Sequence, residues 1–123
     1  MLKKFRILKF KSKPILTVKN ISKTINKRLI LRKIDFEINK GEIFGLLGPN
    51  GAGKSVTFNV LLGIMRADQG EVYVSGVKIS EIPIHERAKK FNIGYIPQND
   101  SVFKGLSCED NLRAIAEISI KDK

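Results

Sequence analysis

The stretch "GLLGPNGAGKSVTF", residues 45–58, sets four glycines and Pro49 directly behind an apolar run and follows them with Lys54 and Ser55. Gly48, Gly53, Lys54 and Ser55 satisfy G-x-x-x-x-G-K-[ST] in full. The match lies between "IFGLL", residues 43–47, and a segment from Lys54 whose apolar positions Val56, Phe58, Val60, Leu61, Leu62, Ile64 and Met65 predict a helix ending near Gly63 to Asp68. The unbroken apolar character of residues 43–47 predicts a central strand of a parallel sheet, covered on both faces. Glycines let successive backbone N–H groups turn inward as an anion-binding nest, and a helix N-terminus adds unpaired donors and partial positive charge at the same place. Lys54 would then reach the β- and γ-phosphate oxygens of a nucleotide, and the Ser55 hydroxyl would be a ligand of Mg²⁺. A glycine-rich turn without a ligand would leave the lysine and serine at these two positions unexplained.

Working outward, "ILTVKNISKT" and "LILRKIDFEI" read as two strands joined at "INKR", residues 25–28, with "NKGE" as the next turn. Downstream, "GEVYVSGVKI", residues 70–79, returns to strand character with Ser75 and Gly76 as its turn. "IPIHERAKKF" reads as a short helix with Pro83 near its start. "NIGYIPQN", residues 92–99, reads as an apolar strand closed by Pro97. In "LSCEDNLRAIAEI", Ser107 and Asp110 approximate a capping box ahead of a helix with Leu112, Ile115 and Ile118 at helical spacing.

The chain has 123 residues, enough for one core, and its 42% hydrophobic fraction is that of a globular protein. No apolar run approaches the ~20 residues a spanning helix needs. The formal net charge of +11 is regional, because residues 1–34 hold twelve Lys or Arg and no acid. Residues 1–14 therefore read as a basic arm, either a solvated tail or a segment attracted to phosphates of nucleic acid or an anionic leaflet. It lacks any base-reading module, so no specific nucleic acid is expected as a partner. Cys108 stands alone, which excludes an intrachain disulfide, and it reads as a structural residue. The solitary His85 reads as a helix-surface residue.

The phosphate loop alone does not choose among kinases, GTPases and transport ATPases, but its flanks do. "ISKTINKRLILRKIDFEINKGEIFGLLGPNGAGKS", followed by "GEVYVSG" and "IGYIPQ", resembles the first half of an ABC-transporter ATP-binding domain. "LTVKNISK", "GIM", "IPIHERAKK" and "IGYIPQNDSVFKGLSCEDNL" are more narrowly similar to the ATPase subunit of bacterial lipopolysaccharide-export transporters. The resemblance implies an α/β fold, a P-loop NTPase of ABC type in which a β-rich subdomain precedes the start of the parallel-sheet core. Residues 15–123 would be that partial domain, from phosphate loop to Q-loop.

Carried over residue by residue, the resemblance assigns nucleotide binding to Gly48, Pro49, Asn50, Gly51, Ala52, Gly53, Lys54, Ser55 and Val56, the last standing where a second threonine is commoner. Gln98 corresponds to the Q-loop glutamine, which contacts Mg²⁺ or the attacking water and links nucleotide state to the transmembrane subunit. Asn99 to Leu106, with Phe103 as an apolar anchor, would help form the groove for a coupling helix. Ile25 falls where the family usually presents an aromatic ring to adenine, so base affinity and selectivity are expected to be reduced. The implied ligands are ATP and Mg²⁺. The implied partners are transmembrane permease subunits and, in the full-length family, a second copy in a homodimer, at the cytoplasmic side and peripheral to the inner membrane.

The chain contains no LSGGQ-like signature, no apolar run ending in Asp-Glu, and no histidine after Gln98. The expectation is an N-terminal ABC ATPase fragment with little or no turnover from these residues alone. Two alternatives stay open: a non-catalytic nucleotide-binding or regulatory module, and nonspecific nucleic-acid binding through the basic arm.

Overall fold

The computed structural model describes residues 2–6 and 13–120, with the side chains of residues 118 and 119 outside the description. In chain order the elements are β1 (Lys3–Arg6), β2 (Pro14–Ile25), β3 (Arg28–Asn39), β4 (Phe44–Leu47), α1 (Lys54–Leu62), β5 (Gln69–Val74), β6 (Val77–Lys78), α2 (Ile84–Phe91) and α3 (Cys108–Ile120). Asn26 and Lys27 both adopt positive φ, 49° and 63°, as a type I′ hairpin turn requires, and so close β2 onto β3. Ser75 and Gly76 do the same between β5 and β6, with φ of 49° and 80°. These turns yield an antiparallel sheet of order β3-β2-β5-β6.

Val18, Ile21, Leu31 and Phe36 share one face although their spacing is odd, because register shifts along the β2–β3 pair, one of them between Val18 and Ile21, reset the alternation; Val72, Val74, Ile79 and Val60 of α1 complete the core. Each such side chain contributes about 1.5–3 kcal/mol by leaving water. Phe36 stacks on Phe44 with ring centroids 4.8 Å apart, which ties β3 to β4 and sets where β4 delivers the chain into the phosphate loop.

The end of α1 is joined to α2 by Arg87, a buried residue. Its guanidinium donates to the carbonyls of Val60 at 2.9 Å, Leu61 at 2.8 Å, Ser80 at 3.1 Å and Ile82 at 2.5 Å. Two of these acceptors belong to the last turn of α1, where helical donors run out, and the Val60 carbonyl also accepts the Gly63 N–H at 3.2 Å. Burial pushes the guanidinium below its usual pKa, and the charge of Glu81 opposes that shift. Gly63, at φ 85°, ends α1 in the left-handed conformation.

Two sequence expectations change here. Residues 43–47 were predicted to be a central parallel strand; instead β4 pairs antiparallel with β1, in a two-stranded sheet with Phe5 opposite Gly45. A Cβ at Gly45 would lie 2.0 Å from the Phe5 ring, so the glycine permits this pairing. Lys3–Arg6 of the basic arm is thus a strand, while residues 7–12 of that arm lie outside the described residues. Residues 92–99 form no strand, and Ile96 is 91% exposed. An extended segment becomes a strand when a neighbour accepts its N–H and C=O groups, and no described strand pairs with this one.

Cys108 is exposed at the first turn of α3. Beside it, Ser107 Oγ accepts the Asp110 N–H at 3.1 Å and donates to Asp110 Oδ2 at 2.8 Å. The aspartate therefore takes the serine hydroxyl where the longer glutamate of a capping box would take the serine N–H. His85 lies on the exposed surface of α2, as predicted.

Candidate functional site

β4 ends at Leu47 and α1 begins at Lys54, so the phosphate loop occupies the connection that the sequence pattern requires. Within it, Ala52 N–H donates to the Pro49 carbonyl at 3.0 Å, and Gly51 and Gly53 take φ of 86° and 100°. Gly53 answers a second demand as well. A Cβ there would stand 2.6 Å from Leu31 Cδ2, so the missing side chain lets the loop rest on the core of β3. Thr57 then locks the first helical turn, its N–H and its hydroxyl both donating to the Gly53 carbonyl at 2.9 and 2.7 Å.

The N-terminus of α1 carries no side-chain cap and no acid in its first turn. Its free N–H groups and partial positive charge are therefore available to an anion. Lys54 Nζ donates to the Gly48 carbonyl and, at 3.3 Å, to that of Pro49, which holds the ammonium over the loop.

A cleft of about 550 Å³ opens at this point, within the size range of small-molecule sites. One wall is Asn50, Gly51, Gly53, Lys54, Ser55 and Val56; the other is the β2–β3 turn, contributing Ile25, Asn26, Arg28 and Ile30. The structure thus brings Ile25 together with most of the phosphate-loop residues singled out in the sequence. Gly48, Pro49 and Ala52 shape the loop from behind and do not line the cleft. Gln98 is exposed and does not line it either.

The residues present fit a nucleotide's phosphates. The described lining holds two cations, Lys54 and Arg28, and no acid, and the loop presents its amides. Ser55 places one hydroxyl at the cleft, which suits a hard cation that keeps its other positions for phosphate and water. Among the described residues no group of three or more His, Cys, Asp or Glu could hold a metal ion by itself.

The turn wall is held in place by Asp68, whose carboxylate accepts the Thr24 N–H at 2.7 Å and Lys23 Nζ at 3.0 Å. The Thr24 hydrogen bond, then that of Lys23, pulls the Asp68 carboxyl below its usual pKa. Sequence reading missed Asp68 in this role, and it missed Arg28 and Ile30 in the cleft. A signal for the last two was available: alternation along a strand puts residues 28 and 30 on one face, beside the turn that carries Ile25.

Beyond the cleft, Asn111 organises the loop ahead of α3. Its side chain accepts the Phe103 N–H at 2.8 Å and donates to the carbonyls of Phe103, Leu106 and Ser107 at 3.2, 3.3 and 2.9 Å. Val102, Phe103 and Leu106 stay exposed on that loop.

The sequence profile of the ABC transporter family matches residues 31–123. The chain belongs to the ABC transporter family. It is 44% identical over 104 residues to the lipopolysaccharide export system ATP-binding protein LptB of Haemophilus influenzae, an alignment covering 85% of this chain and 43% of that protein. LptB of Escherichia coli K12 is 45% identical over 103 residues, covering 84% and 42%. Among solved structures, an ATP-binding subunit of an ABC transporter superposes with a TM-score of 0.68 at 28% identity, covering 86% of this chain and 43% of its own. The ADP conformation of another ABC-transporter ATP-binding cassette gives 0.57 at 33% identity, covering 61% and 30%. This ABC chain thus spans less than half the length of the relatives it matches. Membership in the ABC family implies nucleotide binding. No helix among the described residues is long and apolar enough to cross a membrane.

Proposed function

We propose that this chain is the phosphate-gripping part of an ABC ATP-binding subunit, that it takes Mg·ATP in the cleft between the phosphate loop and the β2–β3 turn, and that it serves lipopolysaccharide export. The observation that carries the nucleotide reading is the complete G-x-x-x-x-G-K-S loop set between β4 and an uncapped α1, facing a cleft whose described lining contains no acid. Loop amides and the α1 N-terminus hold the phosphates; Lys54 exchanges its bonds to the Gly48 and Pro49 carbonyls for phosphate oxygens. Ser55 supplies a metal ligand, Val56 packs at the helix start, and Ile25 forms an aliphatic surface for the base. The export assignment rests on the two LptB alignments.

In this reading Gln98 meets the metal or the water when nucleotide is bound, and the loop Asn99 to Leu106 faces a transmembrane permease subunit with Phe103 as anchor. The protein acts on the cytoplasmic side of the inner membrane and dimerises. No carboxylate lines the described cleft, so binding without rapid turnover is the activity expected of these residues.

Titration calorimetry of the 123-residue chain with Mg·ATP tests the core of this. Uptake that Lys54→Ala weakens about ten- to hundredfold is expected, since a lost hydrogen bond from a charged donor costs about 1.5–3 kcal/mol. A folded wild-type chain that takes up no Mg·ATP refutes the proposal.

A further inference from the structure

The wall facing the phosphate loop carries a second cation, on the hairpin and apart from the loop's own donors. Arg28 lines the cleft, and its guanidinium has no hydrogen bond or ion pair with any described side chain. Its position is set by the hairpin. Arg28 and Ile25 are the cross-strand pair that flanks the two-residue turn, so their side chains stand on the same face of the ribbon. Ile30, two residues further along β3, lies on that face as well and lines the same cleft.

If phosphates occupy the loop, the nucleoside end of the ligand must lie toward this turn, because the cleft has these two walls. Among the described residues the wall offers a purine two aliphatic side chains and no aromatic ring. Arg28 is the one described lining residue there that is both planar and cationic. A guanidinium is weakly hydrated and stacks on aromatic faces, where its charge is attracted to the ring's π-cloud. Resting on the nucleotide reading of the cleft, we infer that Arg28 is the base-recognition residue of this site, its plane set against the purine face beside Ile25 and Ile30.

Calorimetry with two probes, Mg·ATP and Mg·tripolyphosphate, separates base from phosphate recognition. In the 123-residue chain, Arg28→Ala should weaken Mg·ATP about three- to tenfold and leave Mg·tripolyphosphate within about twofold. Arg28→Lys keeps the charge without the plane and should recover less than half of that loss. The inference is overturned if Arg28→Ala leaves Mg·ATP unchanged, or if both probes weaken together and lysine restores them, since Arg28 would then act as a phosphate ligand. Should Arg28→Ala fail to fold by far-UV circular dichroism, Arg28→Lys decides alone, and full Mg·ATP affinity in that variant overturns the inference. A wild-type chain that binds neither probe rejects the nucleotide site itself and this inference with it; binding of both with no effect at Arg28 rejects this inference alone.

Discussion

Replacing Arg87 should be among the most damaging single changes in this protein, although nothing in its sequence context marks it. The guanidinium satisfies four carbonyls at once, and those of Val60 and Leu61 belong to the end of α1. Arg87→Met keeps most of the buried stem and removes every donor. The Val60 bond is fully buried and the other three are partly so. The Val60 carbonyl keeps the Gly63 N–H at 3.2 Å, but an acceptor abandoned in the interior costs about 1–3 kcal/mol, and water can reach some of the partly buried ones. The net loss works out at about 2–4 kcal/mol, a large share of the ~5–15 kcal/mol that holds an ordinary domain together. Urea unfolding followed by circular dichroism at 222 nm should show the midpoint falling with the slope unchanged. Arg87→Lys, with a single compact head in place of the planar fork, should recover no more than about a third. Loss of less than about 1 kcal/mol in Arg87→Met would refute the reasoning, because α1 and α2 would then be held by apolar packing alone.

Other changes have equally direct readouts. Gly70 sits at φ 94° where a Cβ would meet the Asn20 carbonyl oxygen at 2.4 Å, whereas Gly76, at φ 80°, has open space. Gly70→Ala should therefore cost about 2–4 kcal/mol in urea unfolding against about 1–2 for Gly76→Ala, and equal losses would discount the backbone clash. The Asp68 carboxyl is held below its ordinary value of 3.8, so its contribution is complete above that pH and disappears as pH falls through the depressed folded value. The stability difference between wild type and Asp68→Asn should be flat above about pH 5 and shrink below 3.8; a difference that grows in acid would reverse the sign of the argument. Cys108 is exposed, so one thiol per chain should react with a colorimetric disulfide reagent in the folded state at a rate near that in urea. A strongly protected thiol would contradict its placement.

How much of this was legible beforehand follows the range of the forces involved. The paired turn residues 26–27 and 75–76, the glycine after α1 and the proline before α2 act on their own backbone, and the elements they bound appear where the sequence predicts. Residues 92–99 have the composition of a strand, but pairing needs a neighbour, and composition does not say whether one is present. The same holds for β4, whose apolar run was read as a parallel-sheet centre and whose observed partner is Lys3–Arg6.

By itself the sequence determined the phosphate loop, since Gly51, Gly53, Lys54 and Ser55 act through local dihedrals and donors that follow one another along the chain. The tertiary structure decided which residues besides Ile25 face or brace that loop. Arg28 and Ile30 reach the cleft through the hairpin's register, Asp68 anchors the hairpin from 44 residues beyond Thr24, and Arg87 clasps carbonyls as far as 27 residues before it. Such contacts depend on which surfaces meet after the apolar faces are buried, and no spacing along the chain encodes that meeting.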